Sequence, residues 1–157
     1  MKTKLTLFMV LFIILVAFTA VNGEKEPYDN SIENTKKNFK GTWERVSYYN
    51  YDENGKVTDS FSSSSANRHI KIYTDSKVMW CRNVASDSTE WFGYGTYNIH
   101  DDLLSETLEY GSKTMTAFIS QNPEFVFKFT ISKDKYSQIQ IDEEGHPIFA
   151  ENYIRLE

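Results

Sequence analysis

The sequence predicts an all-β domain, an antiparallel up-and-down barrel of eight strands, and three observations carry that prediction. Phe125, Phe127, Phe129 and Ile131 alternate with Val126, Lys128, Thr130 and Ser132, the period of an antiparallel strand with one buried face. Short turn-forming stretches such as Thr74-Asp75-Ser76 and Lys133-Asp134-Lys135 separate most of the strand-like runs and suit hairpins. Strands with one wet face leave exposed edges unless the sheet closes, and a closed sheet of about eight strands holds packed side chains or one small ligand. A sandwich is the competing architecture. Its crossings need long connections, and only residues 55–67 and 111–124 are long enough.

The 157 residues begin with a leader. Met1-Lys2-Thr3-Lys4 is a basic start, Leu5 to Phe18 is apolar apart from Thr6, and Gly23 with Val21 offers a cleavage site. Residues 1–23 are therefore read as a signal peptide, because the apolar run is short of the ~20 residues of a membrane span. A leader that stays uncleaved is the one route to a membrane. Residues 24–38 are polar without a sustained period, though Ser31 to Lys37 suits a single helical turn. The domain proper spans 39–157.

Its strands are expected at Thr42–Tyr51, Arg68–Tyr73, Lys77–Arg82, Glu90–Ile99, Leu103–Tyr110, Phe125–Ser132, Tyr136–Ile141 and Ile148–Leu156. Asn54-Gly55 supplies the positive-φ pair of a tight turn after the first. The four serines 62–65 mark a flexible loop at the mouth, and Ser112–Asn122 reads as a loop containing a short turn.

Composition excludes several classes. The net charge of −5 becomes −7 once Lys2 and Lys4 leave with the leader, and no basic stripe suits nucleic acid. Cys81 is the lone cysteine, so an exported domain must hold together without an internal disulfide. Aromatic residues at 15% supply the core instead.

"FKGTWERVSYYN", the hairpin "GYGTYNIHDDLLSETLEY" at 93–110 and the closing "ENYIRLE" at 151–157 resemble lipocalin-like domains of the calycin group. The likeness runs from Phe39 to Glu157 and is nearest to secreted bacterial members whose role is mostly unassigned. In that family Gly-x-Trp marks the first strand and an Arg from the last strand crosses the Trp. The resemblance thus implies that Gly41, Trp43 and Arg155 close the barrel, with Gly41 turning tightly beneath it. A guanidinium over an indole gains about 0.5 to 2 kcal/mol. Arg45 departs from this pattern, two positions after a buried Trp. Either a bulge shifts the register, or Arg45 points inward to meet an acid.

Candidate ligand contacts follow from charge on an apolar face. Glu106 interrupts Leu104, Leu108 and Tyr110, and a lone inward carboxylate is costly unless paired. It is read as a ligand-orienting group, joined to Arg45 or Arg82, or else as an internal ion pair or the mark of a strand register shifted by one, which flips every side chain. Trp80, Trp91, Tyr94, Tyr97, Phe127, Phe129 and Tyr153 either line a cavity or fill it. Gly93 and Gly95 share one strand face, which either bends the strand or leaves room for a guest.

His69, His100 and His146 lack ligand spacing, so neither a metal nor another cofactor is expected. No nucleophile elbow, phosphate-cradling loop or Cys–His constellation is present, and the chain is not read as an enzyme. The leading expectation is an exported protein, periplasmic or secreted, that binds a small and largely apolar molecule inside its barrel. The alternative is a filled barrel whose loops dock another protein of the cell envelope.

Overall fold

Asn30–Phe39 forms helix α1, with Lys36 and Lys37 in the last turn, where the helix dipole favours cations. The computed structural model describes residues 30–157; the leader at 1–23 lies outside the described residues. Among those described, no helix is long and apolar enough to cross a membrane. Nine strands follow α1: β1 Gly41–Tyr51, β2 Val57–Ser62, β3 Asn67–Tyr73, β4 Lys77–Val84, β5 Trp91–His100, β6 Leu103–Gly111, β7 Glu124–Ile131, β8 Lys135–Ile141 and β9 Pro147–Arg155. A second helix, α2 Lys113–Ile119, bridges β6 and β7.

All the pairings are antiparallel, and the sheet closes in a ring. From β3 onward each strand pairs with the next, and β9 returns to β1. On its other edge β1 has two partners, β3 along Gly41–Glu44 and β2 along Ser47–Tyr51. Closure thus satisfies the backbone groups that an open sheet would leave at its edges, apart from the outer edge of β2, which pairs with no further strand among the described residues. Nine strands replace the expected eight because β2 occupies part of the stretch read as a flexible loop. All six of its residues are exposed, so no apolar face marks it in the sequence; pairing to β1 makes it a strand.

Two connections also differ from expectation. Of the pair Asn54-Gly55, only Gly55 has positive φ, at 73°. The Asp52 carboxylate accepts the N–H groups of Asn54 at 3.0 Å and Lys56 at 2.9 Å, and this side-chain turn frees Asn54 from the left-handed region. The segment 112–122 contains a true helix, capped where Ser112 Oγ accepts the Met115 N–H at 3.3 Å.

The apolar core fills one end of the ring. Phe39, carried in by α1, packs edge-on against Tyr73, Phe129 and Tyr136 at 5.1–5.4 Å between ring centroids. Trp43 lies beneath, fully buried, its indole N–H donating to the Phe39 carbonyl at 2.7 Å. In the β1–β9 register Trp43 stands opposite Arg155, whose guanidinium sits 4.1 Å from the indole centre. Arg155 also donates to the carbonyls of Lys133, Lys40 and Asn38 at 2.5–2.6 Å. A Cβ on Gly41, at φ 130°, would stand 2.3 Å from the Glu157 carbonyl oxygen. Glycine is needed there because the chain end crosses over it.

Candidate functional site

Above the aromatic plug the inward positions turn polar. β3 buries His69, Lys71 and Tyr73 while Ile70 and Ile72 face outward, Ile72 with 40% exposure. β8 does the same with Tyr136 and Gln138, leaving Ile139 and Ile141 on the other face. β1 contributes Arg45, β6 Glu106 and β9 Glu151, all buried. Six polar side chains therefore meet in the middle of the ring.

Their bonds form a continuous chain. Lys71 Nζ donates to both Glu106 oxygens at 2.7 and 2.9 Å and to Gln138 Oε1 at 2.8 Å. Tyr73 OH donates to Glu106 Oε1. Gln138 Nε2 then donates to Glu151 Oε2 at 2.8 Å, which also accepts Tyr153 OH at 2.8 Å. Arg45 Nη1 donates to Glu151 Oε1 at 2.8 Å and Nη2 to Asn67 Oδ1 at 3.2 Å. Two buried ion pairs are thus tied together by one amide, and each carboxylate keeps several donors, as low-dielectric burial requires.

Both readings of Arg45 hold at once. A register shift separates Arg45 from Ser47 along β9, Val46 faces solvent, and Arg45 points inward to an acid. Glu106 is paired with Lys71 rather than Arg45 or Arg82. Sequence reasoning missed Lys71, Gln138 and Glu151; Lys71 and Gln138 alternate with the isoleucines of β3 and β8, a pattern in which the apolar half ordinarily marks the buried face. The one available signal was Tyr73 and Tyr136, which share parity with the polar residues and fix the opposite choice.

Burial sets the protonation of this layer. It pushes the His69 imidazole below its ordinary value, against the pull of Glu151, 3.4 Å away, so His69 is neutral near pH 7. Burial would raise the Glu151 carboxyl, but the His69 hydrogen bond and the charges around it, Lys71 and Arg45 among them, hold it well below the usual carboxylate range. Burial and the Glu151 charge push the Tyr48 hydroxyl up, while Arg45 and Arg82 pull it down.

Over the polar layer lies a cavity of about 590 Å³. Tyr48, Phe61, Trp80, Phe125, Phe127 and Phe149 wall it, and Met115 from α2 covers one side. Tyr48 stacks on Phe149 at 5.3 Å between centroids. Arg45, His69, Lys71, Arg82, Glu106, Gln138 and Glu151 supply the polar part of its lining.

Of the sequence-read contacts, Glu106, Arg82, Trp80 and Phe127 border this cavity and five do not, Tyr97 being part of the buried aromatic core. Tyr94 lies on the outer face of β5, 5.2 Å from Tyr110. Trp91 donates to Asp87 Oδ2 at 3.2 Å. Phe129 belongs to the plug against Phe39. Tyr153 lies beneath the cavity, stacked on Tyr136 at 4.5 Å. Gly93 leaves room for an internal guest: the Trp80 indole, which a Cβ would approach to 2.9 Å. Gly95 sits at a register shift against β6, where a Cβ would come within 2.0 Å of the Thr107 carbonyl oxygen. Asp142, Glu144 and His146 also converge, at the exposed β8–β9 turn, where Asp142 accepts the His146 N–H at 2.8 Å. That contact makes them a turn motif.

Neither a protein-family model nor a curated protein matches the chain. Among solved structures it is similar to an uncharacterised protein from Bacteroides eggerthii DSM 20697. The two share 19% identity over 74% of this chain and 98% of that one, with a TM-score of 0.49.

Proposed function

We propose that the protein is an exported, lipocalin-like barrel that holds a small, largely apolar molecule in its interior. The cavity of about 590 Å³ carries this reading. Its volume falls in the range of small-molecule sites, about 300–1,000 Å³, and such sites set a few polar groups among aromatic walls. Trp80, Phe125, Phe127 and Phe149 are the walls, and the Lys71–Glu106 and Arg45–Glu151 pairs are the polar groups. The Trp43–Arg155 closure supports the lipocalin-like assignment, since that pairing is what the resemblance implied. A protein-docking role would require no internal space, so the cavity favours the ligand.

Trp80 makes the test direct, because its indole borders the cavity. Titrating the purified exported protein with small aromatic and aliphatic compounds is expected to quench or shift tryptophan emission, with saturation. Substituting Phe127→Trp narrows the cavity and is expected to weaken binding by about tenfold. A ligand bound equally well by this variant sits elsewhere, and the reading fails.

A further inference from the structure

The charges bordering the cavity do not cancel. Arg45, Lys71 and Arg82 are cationic, Glu106 and Glu151 anionic, and burial leaves His69 neutral. Lys71 is matched by Glu106 and Arg45 by Glu151. Among the described residues Arg82 has no ion-pair partner. It follows Trp80 on the inward face of β4, half-buried, directly opposite His69 on β3 and Trp91 on β5.

Unmet hydrogen-bonding capacity gathers at the same place. Among the described residues four buried side-chain polar atoms lack a partner, and three of them belong to the cavity lining: Arg45 Nε, His69 Nε2 and Arg82 Nε. Folded proteins pair the great majority of such atoms, and a cluster of exceptions calls for a physical reason. A bound group with acceptor atoms would supply one here. The two guanidinium nitrogens are donors; Glu106 is committed to Lys71 and Glu151 to the Nη1 end of Arg45. Exposed Asp87, held low by hydrogen bonds from Thr89 and Trp91 and by the Arg82 charge, makes no ion pair with Arg82.

We propose that the molecule bound here is an aromatic monoanion, a flat apolar body bearing one carboxylate- or sulfonate-type group, and that Arg82 holds the anionic end. One negative charge brings the cavity to neutrality; a dianion overshoots and a cation adds to the excess. The body lies among Trp80, Phe125, Phe127 and Phe149, whose rings offer flat faces for stacking. The inference rests on the ligand-binding reading and adds the charge and the residue that reads it.

Two fluorescent probes of nearly the same shape separate the ideas. 1-Anilinonaphthalene-8-sulfonate carries one negative charge, and N-phenyl-1-naphthylamine is its neutral counterpart. The full-length protein is expected to bind the sulfonate at least roughly tenfold more tightly, the scale of a charge-assisted contact out of water. Energy transfer from tryptophan reports binding near Trp80. In Arg82→Met the affinity ratio is expected to fall towards unity, and Arg82→Lys to keep part of it. Arg82 sits in no ion pair of the fold, and thermal melts confirm that each variant is native. Equal affinities in the wild type, or a ratio unchanged in Arg82→Met, overturn the charge assignment and leave the cavity reading standing. If neither probe binds, and no other compound does, the cavity reading falls and this inference with it.

Discussion

Lys71 is the residue on which the interior turns. Its ammonium is almost wholly enclosed, with Glu106, Gln138 and the rings of Tyr73, Phe127 and Tyr153 around it. Removing one partner of a buried pair leaves the other charge uncompensated, at a cost of about 3–5 kcal/mol. Lys71→Met is expected to lose that much in urea unfolding, and Glu106→Gln alone a comparable amount. The double substitution is expected to recover a large part, since two neutral groups carry no stranded charge. A double variant as unstable as the sum of the singles would show that the two side chains act independently. Glu106 was legible in the sequence as a charge on an apolar face, and Arg45 as a charge too near a buried Trp. Lys71 was not, because a lysine between two isoleucines reads as the solvated half of an amphipathic strand.

At the scale of the element, β3 and β8 show why that reading misleads. Alternation identifies a strand, yet which face turns inward depends on what its neighbours need. The ring interior demands a counter-charge for Glu106, so β3 delivers Lys71, sets the neutral His69 beside Glu151 and leaves Ile72 outside. Strand existence and most boundaries were legible, because hairpin turns punctuate them. β2 was illegible for the opposite reason, having no buried face at all. A direct check follows from adjacent residues on β3. Ile72→Thr is expected to change stability by no more than about 0.5 kcal/mol, the range of surface substitutions. Tyr73→Ala, one position on and in the aromatic plug, is expected to cost about 3–5 kcal/mol. Urea midpoints measure both, and a costly Ile72→Thr would mean that β3 has been placed with the wrong face inward.

For the molecule as a whole, a charged layer stacked on a tyrosine-rich plug predicts a stability plateau with two flanks. On the acid side, His69 has a folded pKa below its unfolded value of 6.5, so the unfolded chain takes up the proton first. Stability is therefore intact above pH 6.5 and begins to fall below it. Glu151 adds a second loss below its unfolded value of 4.5, because its folded carboxyl stays ionised to much lower pH. On the alkaline side burial raises the Tyr73, Tyr136 and Tyr153 hydroxyls, and burial with the Asp75 charge lifts Tyr97 to about 12. The unfolded chain then loses those protons first, and stability declines above pH 10. Thermal melts from pH 4 to 11 are expected to show a plateau between about 6.5 and 10. His69→Gln should remove the upper part of the acid flank and leave the alkaline flank in place. An acid flank unchanged in that variant would move its origin away from the imidazole to the carboxylates alone.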